Sequence, residues 1–194
     1  DPTNSYFNTV GITATKEKVK HNIPMLSCDK VKNIEGITKW IEKMNIVGED
    51  LVLEPKVDGI SCSIIYDNGF INRVTTRGDG LIGQDISHIC KFINIPLKIG
   101  MRNQIEVRGE LYLPKNTEFP NPDNKPLRNM AFGLVNRKDS GLDDLKFVKF
   151  IAYQLYGTIL KRESLKLSEL EYIGFKIVPY WVLTNIDHTL IKLY

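Results

Sequence analysis

The chain has 194 residues, enough to bury a sizeable core in one large domain or one domain with an appendage. Hydrophobic residues make up 42% and charged residues 25%, ordinary for a soluble globular protein; no apolar run approaches the roughly 18 residues of a membrane span, and no signal-peptide pattern opens the chain. A formal charge of +3 permits polyanion binding without arguing for it, and the widely spaced Cys28, Cys62 and Cys90, with no CxxC pair, argue against a zinc site or a disulfide framework and fit a reducing compartment.

Residues 1 to about 30 read as irregular and extended, because Pro2, Gly11 and Pro24 interrupt any periodicity. A helix is predicted over 34–44, with Ile34, Ile37, Trp40, Ile41 and Met44 on one face and Asn33 as its cap. Leu51 to Lys56 reads as a buried strand. Ser61 to Tyr66 and Phe70 to Thr76 form a predicted hairpin around the turn residues Asp67-Asn68-Gly69. A short helix near 85–93 carries Ile86, Ile89, Cys90 and Ile93 at helical spacing and stops before Pro96. Ile105 to Leu113 is a further strand, Pro114 to Pro126 a loop, and 127–136 a helix. Phe147 to Ile159 reads as a long strand, 165–173 as a helix ending at Gly174, and 176–183 as a last strand, with a helix beginning in the tail from Asp187. Strands with scattered helices and a hairpin-rich centre give an α+β fold with mainly antiparallel sheets and flanking helices.

The segment Glu54-Pro55-Lys56-Val57-Asp58-Gly59 ends an apolar run in a lysine with a carboxylate two residues to either side. A lysine amine attacks an electrophile such as phosphorus only when deprotonated, which burial or neighbouring cations promote. On these residues alone, a strand ending in an Asp-Gly turn with an exposed lysine is the simpler reading. Downstream, Thr75-Thr76-Arg77-Gly78-Asp79-Gly80 joins a strand to a glycine-rich turn, where glycines let backbone approach a ligand and an arginine suits phosphate or ribose. The alternative is a turn with a solvated arginine. In Glu106-Val107-Arg108-Gly109-Glu110, alternation sends Glu106, Arg108 and Glu110 to one face. That face is solvated if the strand is an edge, and lines a ligand if the strand runs through a cleft.

Together with His21-Asn22-Ile23-Pro24-Met25-Leu26-Ser27 and Arg128-Asn129-Met130-Ala131-Phe132-Gly133, these motifs in this order resemble the adenylation domain of NAD-dependent DNA ligases over nearly the whole chain. The resemblance implies the nucleotidyltransferase (ATP-grasp-like ligase adenylation) fold. It also implies that Lys56 attacks the adenylyl phosphorus of NAD, expels nicotinamide mononucleotide and becomes lysyl-AMP. The AMP then passes to a DNA 5′-phosphate for nick sealing, in DNA replication and repair. By the same resemblance Asp58 positions lysine, ribose or metal, and Val57 and Gly59 complete the nucleotide-binding motif. Glu54 and the backbone of Ser27 and Cys28 read the adenine edge. Arg77 and Glu110 hold the ribose and phosphate side, and Tyr153 stacks on adenine. Arg128 contacts DNA or phosphate, with Arg137 as a second nucleic-acid residue. NAD and Mg2+ are the implied cofactors, with no metal ligands assigned. Nicked double-stranded DNA is the implied partner, the chain a monomer without membrane association, and the setting intracellular, cytoplasmic or nucleoid-associated.

The chain departs from the family pattern at Gln84, where a glutamate is usual, at Lys30, where an asparagine is usual, and at Asn136, where the family has a second arginine and this chain has Arg137 one residue late. No Asp-Gly-x-Val-x-Lys motif precedes Tyr194, and the OB-fold and zinc finger of the family have no counterpart. Residues 1–194 are therefore expected to be an adenylation domain lacking its C-terminal part, weakly active or inactive by itself. Competing readings are an ATP-dependent DNA or RNA ligase or capping-type enzyme, and a non-catalytic module that binds nucleotide or nucleic acid. The Pro-Met-Leu-Ser and Arg-Gly-Asp-Gly segments favour NAD.

Overall fold

A computed structural model describes residues 17–45, 50–137 and 141–184. The helix expected from Asp187 lies outside the described residues. The chain divides into two compact units, Asp1–Met25 with Val57–Ile177, and Leu26–Lys56 with Val178–Tyr194.

The larger unit is built on a four-stranded antiparallel sheet of β3 (Ile60–Asp67), β4 (Phe70–Thr76), β6 (Ile105–Tyr112) and β7 (Lys149–Tyr156), in the order β4-β3-β6-β7. The hairpin joining β3 to β4 turns through Asn68 and Gly69, both at positive φ (50° and 83°), the conformation that matches strand twist and that Asn-Gly adopts cheaply. One sheet face is the core: Cys62, Ile64, Tyr66, Val107, Leu111, Phe150, Ala152 and Leu155 are fully buried. Ile86, Ile89 and Cys90, from a 3-10 turn over Ser87–Lys91 and its flank, are buried with them, as are Leu167 and Leu170 of helix α3 (Glu163–Tyr172), which packs on β7. Phe175 meets Tyr66 and Phe150 edge-on, with centroids 6.0 and 5.9 Å away. It is set there by the end of α3, where Gly174 N–H donates to the Glu171 carbonyl and Phe175 N–H to that of Leu170, a Schellman closure. The Tyr66 hydroxyl reaches the Pro96 carbonyl at 2.6 Å.

Two strands of this unit escape the sequence reading. β1 (Lys18–Lys20) and β5 (Ile82–Gln84) pair antiparallel in the stretches read as irregular and as a turn. Helix α2 (Leu127–Val135) lies against β3 and β6, burying Ala131, Leu134 and Val135. The long strand expected over 147–159 runs only from Lys149 to Tyr156: Leu142–Phe147 forms a 3-10 turn before it, and Gly157, at φ 80°, follows it.

The smaller unit holds helix α1 (Ile34–Met44) and the antiparallel pair β2 (Leu51–Leu53) and β8 (Trp181–Leu183). α1 starts where predicted, with the Asn33 side chain accepting from Gly36 N–H at 2.9 Å, and closes at Asn45 in the left-handed region. Of its apolar face only Ile41 is buried; Ile34 and Met44 are exposed. The strand expected over Leu51 to Lys56 stops at Leu53 and is not buried. Pro55 has no N–H for a ladder, which explains the stop. Pro179 likewise interrupts the expected 176–183 strand: Ile177 bridges Ala152 in the larger unit, and regular pairing resumes only at Trp181.

Candidate functional site

The Arg77 turn is shaped by its own backbone. Arg77 N–H donates to the Ser61 carbonyl at 2.8 Å, and the Asp79 carboxylate accepts from Leu81 and Ile82 N–H, both at 2.8 Å. Those N–H groups, Ile82 first, hold the Asp79 carboxyl below the usual range. Gly78 sits at φ 58°, and a Cβ there would stand 1.9 Å from the Ile82 carbonyl oxygen. The crowding that demands this glycine is thus the chain's own carbonyl. Residues 21–25 strap the turn: His21 N–H bonds Leu81 O (2.9 Å), Met25 N–H bonds Gly80 O (2.8 Å), and the His21 ring nitrogen Nε2 lies 3.1 Å from Arg77 O.

β6 carries the second half of the site. It is a central strand, paired to β3 and β7, so the solvated-face reading of Glu106, Arg108 and Glu110 fails: they are only 7%, 4% and 7% exposed. Each is met by hydrogen-bonding groups, as buried charge requires. Ser61 Oγ donates to Glu110 Oε2 and Ser63 Oγ to Glu106 Oε1, both at 2.8 Å. Arg108 Nε donates to Glu106 Oε1 at 2.6 Å, its Nη atoms reach the carbonyls of Ile23 (2.5 Å) and Pro24 (3.1 Å), and its guanidinium lies 4.6 Å from the Tyr156 ring centroid. Arg108 therefore ties the strap to the sheet.

Gly59 packs directly on this strand. A Cβ at Gly59 would fall 2.2 Å from the Leu111 carbonyl oxygen and 2.9 Å from Glu110 Cγ, so the chain at this position can run close to Glu110 only with glycine. Tyr153 reaches the same place through a bulge: Arg108 pairs with Gln154 and Gly109 with Ala152, leaving Tyr153 as the extra residue of β7. Burial pushes its phenol up, the Glu110 carboxylate adds to that, and a hydrogen bond with Ser61 opposes it.

These elements open onto a cavity of about 260 Å3 lined by Ile60, Ser61, Thr76, Arg77, Gly78, Arg128, Asn129 and Phe132. Arg128 comes from the first turn of α2 and stands 3.6 Å from the carboxylate of Asp58, an exposed pair. Two guanidiniums, two hydroxyls and an amide around so small a space suit a phosphate and its adjoining sugar. Among the described residues no group of three or more His, Cys, Asp or Glu side chains is placed to hold a metal ion.

Of the residues singled out from sequence, the larger unit brings together Asp58, Gly59, Arg77, Glu110, Tyr153 and Arg128, with Val57 at its chain entry. Arg137 does not line the cavity; its guanidinium is paired with Asp144 at 2.6 Å. Ser27, Cys28, Glu54 and Lys56 belong to the smaller unit, where Ser27, Cys28 and Lys56 are exposed. Sequence reasoning missed Ser61, Thr76, Asn129 and Phe132 as lining residues. Asn129 and Phe132 lay inside a quoted motif, whereas Ser61 is identified only by its pairing with Glu110.

Residues 13–194 match the NAD-dependent DNA ligase adenylation domain. The chain is 34% identical over 191 residues to a DNA ligase of Wolbachia pipientis wMel, covering 91% of this chain and 28% of that protein. To a DNA ligase of Borrelia hermsii it is 34% identical over 184 residues, covering 84% of this chain and 27% of the other. It thus spans little more than a quarter of the length of these curated relatives. Among solved structures, a Naegleria gruberi RNA ligase aligns with a TM-score of 0.44 at 16% identity, over 92% of this chain and 49% of that one, a likeness too distant to bear on function. No helix among the described residues is long and apolar enough to cross a membrane. The match over 13–194 and the α+β fold agree, and the chain belongs to the family of NAD-dependent DNA ligase adenylation domains, with the nucleotidyltransferase fold of that family.

Proposed function

We propose that this chain is the nucleotidyltransferase core of an NAD-dependent DNA ligase and that Lys56 is its nucleophile. The Lys56 amine attacks the adenylyl phosphorus, a P–N bond forms, the P–O bond to nicotinamide mononucleotide breaks, and the amine proton is released. A 5′-phosphate oxygen of nicked DNA then displaces the lysine, and the 3′-hydroxyl finally expels AMP as the phosphodiester forms. The phosphoramidate stores enough free energy for the group to be handed on. Arg77 holds the phosphate or ribose, and Glu110, already the acceptor for Ser61, takes a ribose hydroxyl. Tyr153 offers its ring to adenine, whose edge is read by Glu54 and the backbone of Ser27 and Cys28. Arg128 binds a DNA phosphate. Magnesium, where bound, neutralises phosphate charge; it is commonly held by one or two carboxylates together with substrate phosphates, and the exposed carboxylate of Asp58 fits that use. Acting on nicked DNA implies an intracellular setting.

The observation that carries this reading is the convergence of Arg77, Ser61 and Arg128 on one small cationic cavity, in a chain of this family. The test incubates the full chain with NAD labelled in its adenylate half and maps acid-labile label to Lys56. Label from NAD, absent from Lys56→Ala, is the expected result. Label from ATP alone would make it an ATP-using enzyme. Absence of any adduct, with nucleotide and DNA binding unchanged in Lys56→Ala, would make it a binding module.

A further inference from the structure

Phe132 has no part in the activity proposed above, and its position is unusual. α2 buries Ala131, Leu134 and Val135, yet Phe132 is 57% exposed and lines the cavity of Arg77 and Arg128. Arg128 and Phe132 stand one helical turn apart, so their side chains lie on one stripe of α2. A single exposed aromatic needs no explanation. An aromatic facing two guanidiniums across about 260 Å3 does, because that combination binds nucleotides, cation to phosphate and ring to the adjoining apolar surface. The Arg128–Asp58 pair does not close the site, since both side chains are largely exposed and such pairs are readily exchanged.

We propose, on the ligase reading above, that Phe132 is a positioning residue for nicked DNA, packing on the deoxyribose of the nucleotide that bears the 5′-phosphate. The sugar is favoured over the base by size and chemistry. The cavity is below the roughly 300–1,000 Å3 of a typical small-ligand site, so a ring sharing it with a bound phosphate meets the sugar, the phosphate's immediate neighbour. The base of a nick to be sealed must also remain paired for the 3′-hydroxyl to line up. Ile60 gives the cavity a second apolar side chain, and the Asn129 amide supplies a donor for the sugar oxygens.

The test measures binding of the full chain to a fluorescent nicked duplex with a 5′-phosphate at low salt. Phe132→Ala is expected to weaken binding about tenfold, equivalent to about 1.4 kcal/mol, while Phe132→Tyr stays within about threefold. The Phe132→Ala loss is expected to persist when the 5′-terminal nucleotide is abasic, and to vanish on an intact duplex. A loss that disappears on the abasic duplex would place the ring on the base and overturn the proposal. So would equal losses for Ala and Tyr, equal losses on intact duplex, or no saturable binding by the wild-type chain. Binding requires no adenylation, so failure here is separate from failure to form lysyl-AMP in the preceding experiment.

Discussion

Two glycines in the Arg77 and Arg128 motifs are alike in sequence and opposite in energetics. Gly78 sits at positive φ with the Ile82 carbonyl oxygen 1.9 Å from any Cβ. Alanine there must both leave a favourable backbone region and push a main-chain oxygen aside, and overpacking alone costs about 1–3 kcal/mol. Gly78→Ala is therefore expected to lower the urea midpoint substantially and to weaken phosphate binding, because the turn that aims Arg77 must open. Gly133, in the middle of α2, has nothing within 4 Å of a built Cβ. Glycine inside a helix costs about 0.8–1.0 kcal/mol relative to alanine, so Gly133→Ala is expected to raise the midpoint by a comparable amount. A Gly78→Ala variant as stable as the wild type would show the steric account of the Arg77 turn to be wrong, and a Gly133→Ala variant of lower stability would do the same for the helix account.

At the scale of elements, β6 is where charge and burial conflict and where the sequence misleads. Alternation puts Glu106, Arg108 and Glu110 on one face, but it does not report depth. Depth comes from β3 and β7 pairing on both sides, with Ser61 and Ser63 donating across to the glutamates. The Tyr153 bulge is hidden for the same reason, since it exists only in the register of β7 against β6. The β1–β5 ladder has three residues per strand, too few for any periodicity. What could be read in advance was local: Asn33 capping α1, Asn68-Gly69 turning the hairpin, and Gly174 closing α3. Pro55 was a local signal of the same kind, a missing ladder donor, yet the strand was expected to run through it to Lys56. The Arg108–Glu106 pair gives this element its test. Removing one partner of a buried ion pair typically costs about 3–5 kcal/mol, because the other charge stays buried. Arg108→Met is expected to fall in that range by urea unfolding. Adding Glu106→Gln should recover part of the loss, since the amide can still accept from Ser63. An Arg108→Met cost below about 1 kcal/mol would show that the strap at Ile23 and Pro24 does not depend on this guanidinium.

Several titratable groups of the larger unit have displaced ionisation, so its stability should follow pH. Burial drives the Cys62 thiol and the Tyr66 and Tyr153 phenols up, with nearby Glu110 reinforcing Cys62 and Tyr153 and Cys90 reinforcing Tyr66. A raised value means the unfolded chain loses its proton first, so this stability is complete below the unfolded values, about 8.5 for cysteine and 10 for tyrosine, and is lost as pH rises beyond them. His88 works in the opposite sense. Burial holds its imidazole below the usual value, partly offset by the Val135 and Arg137 carbonyls and by Asp85, and its Nε2 has no hydrogen-bond partner among the described residues. Below about pH 6.5 the unfolded chain takes up a proton that the folded one resists, so stability falls with falling pH. Asp79, held low by the N–H groups of Ile82 and Leu81, adds a further loss only below about pH 4. The urea midpoint is thus expected to show a plateau from about pH 6.5 to 8.5 with a decline on each side. His88→Gln should flatten the decline between about pH 6.5 and 5 while leaving the alkaline limb unchanged. A mutant profile that still parallels the wild type on the acid side would shift the cause from His88 to another group, because no titration then separates the two chains.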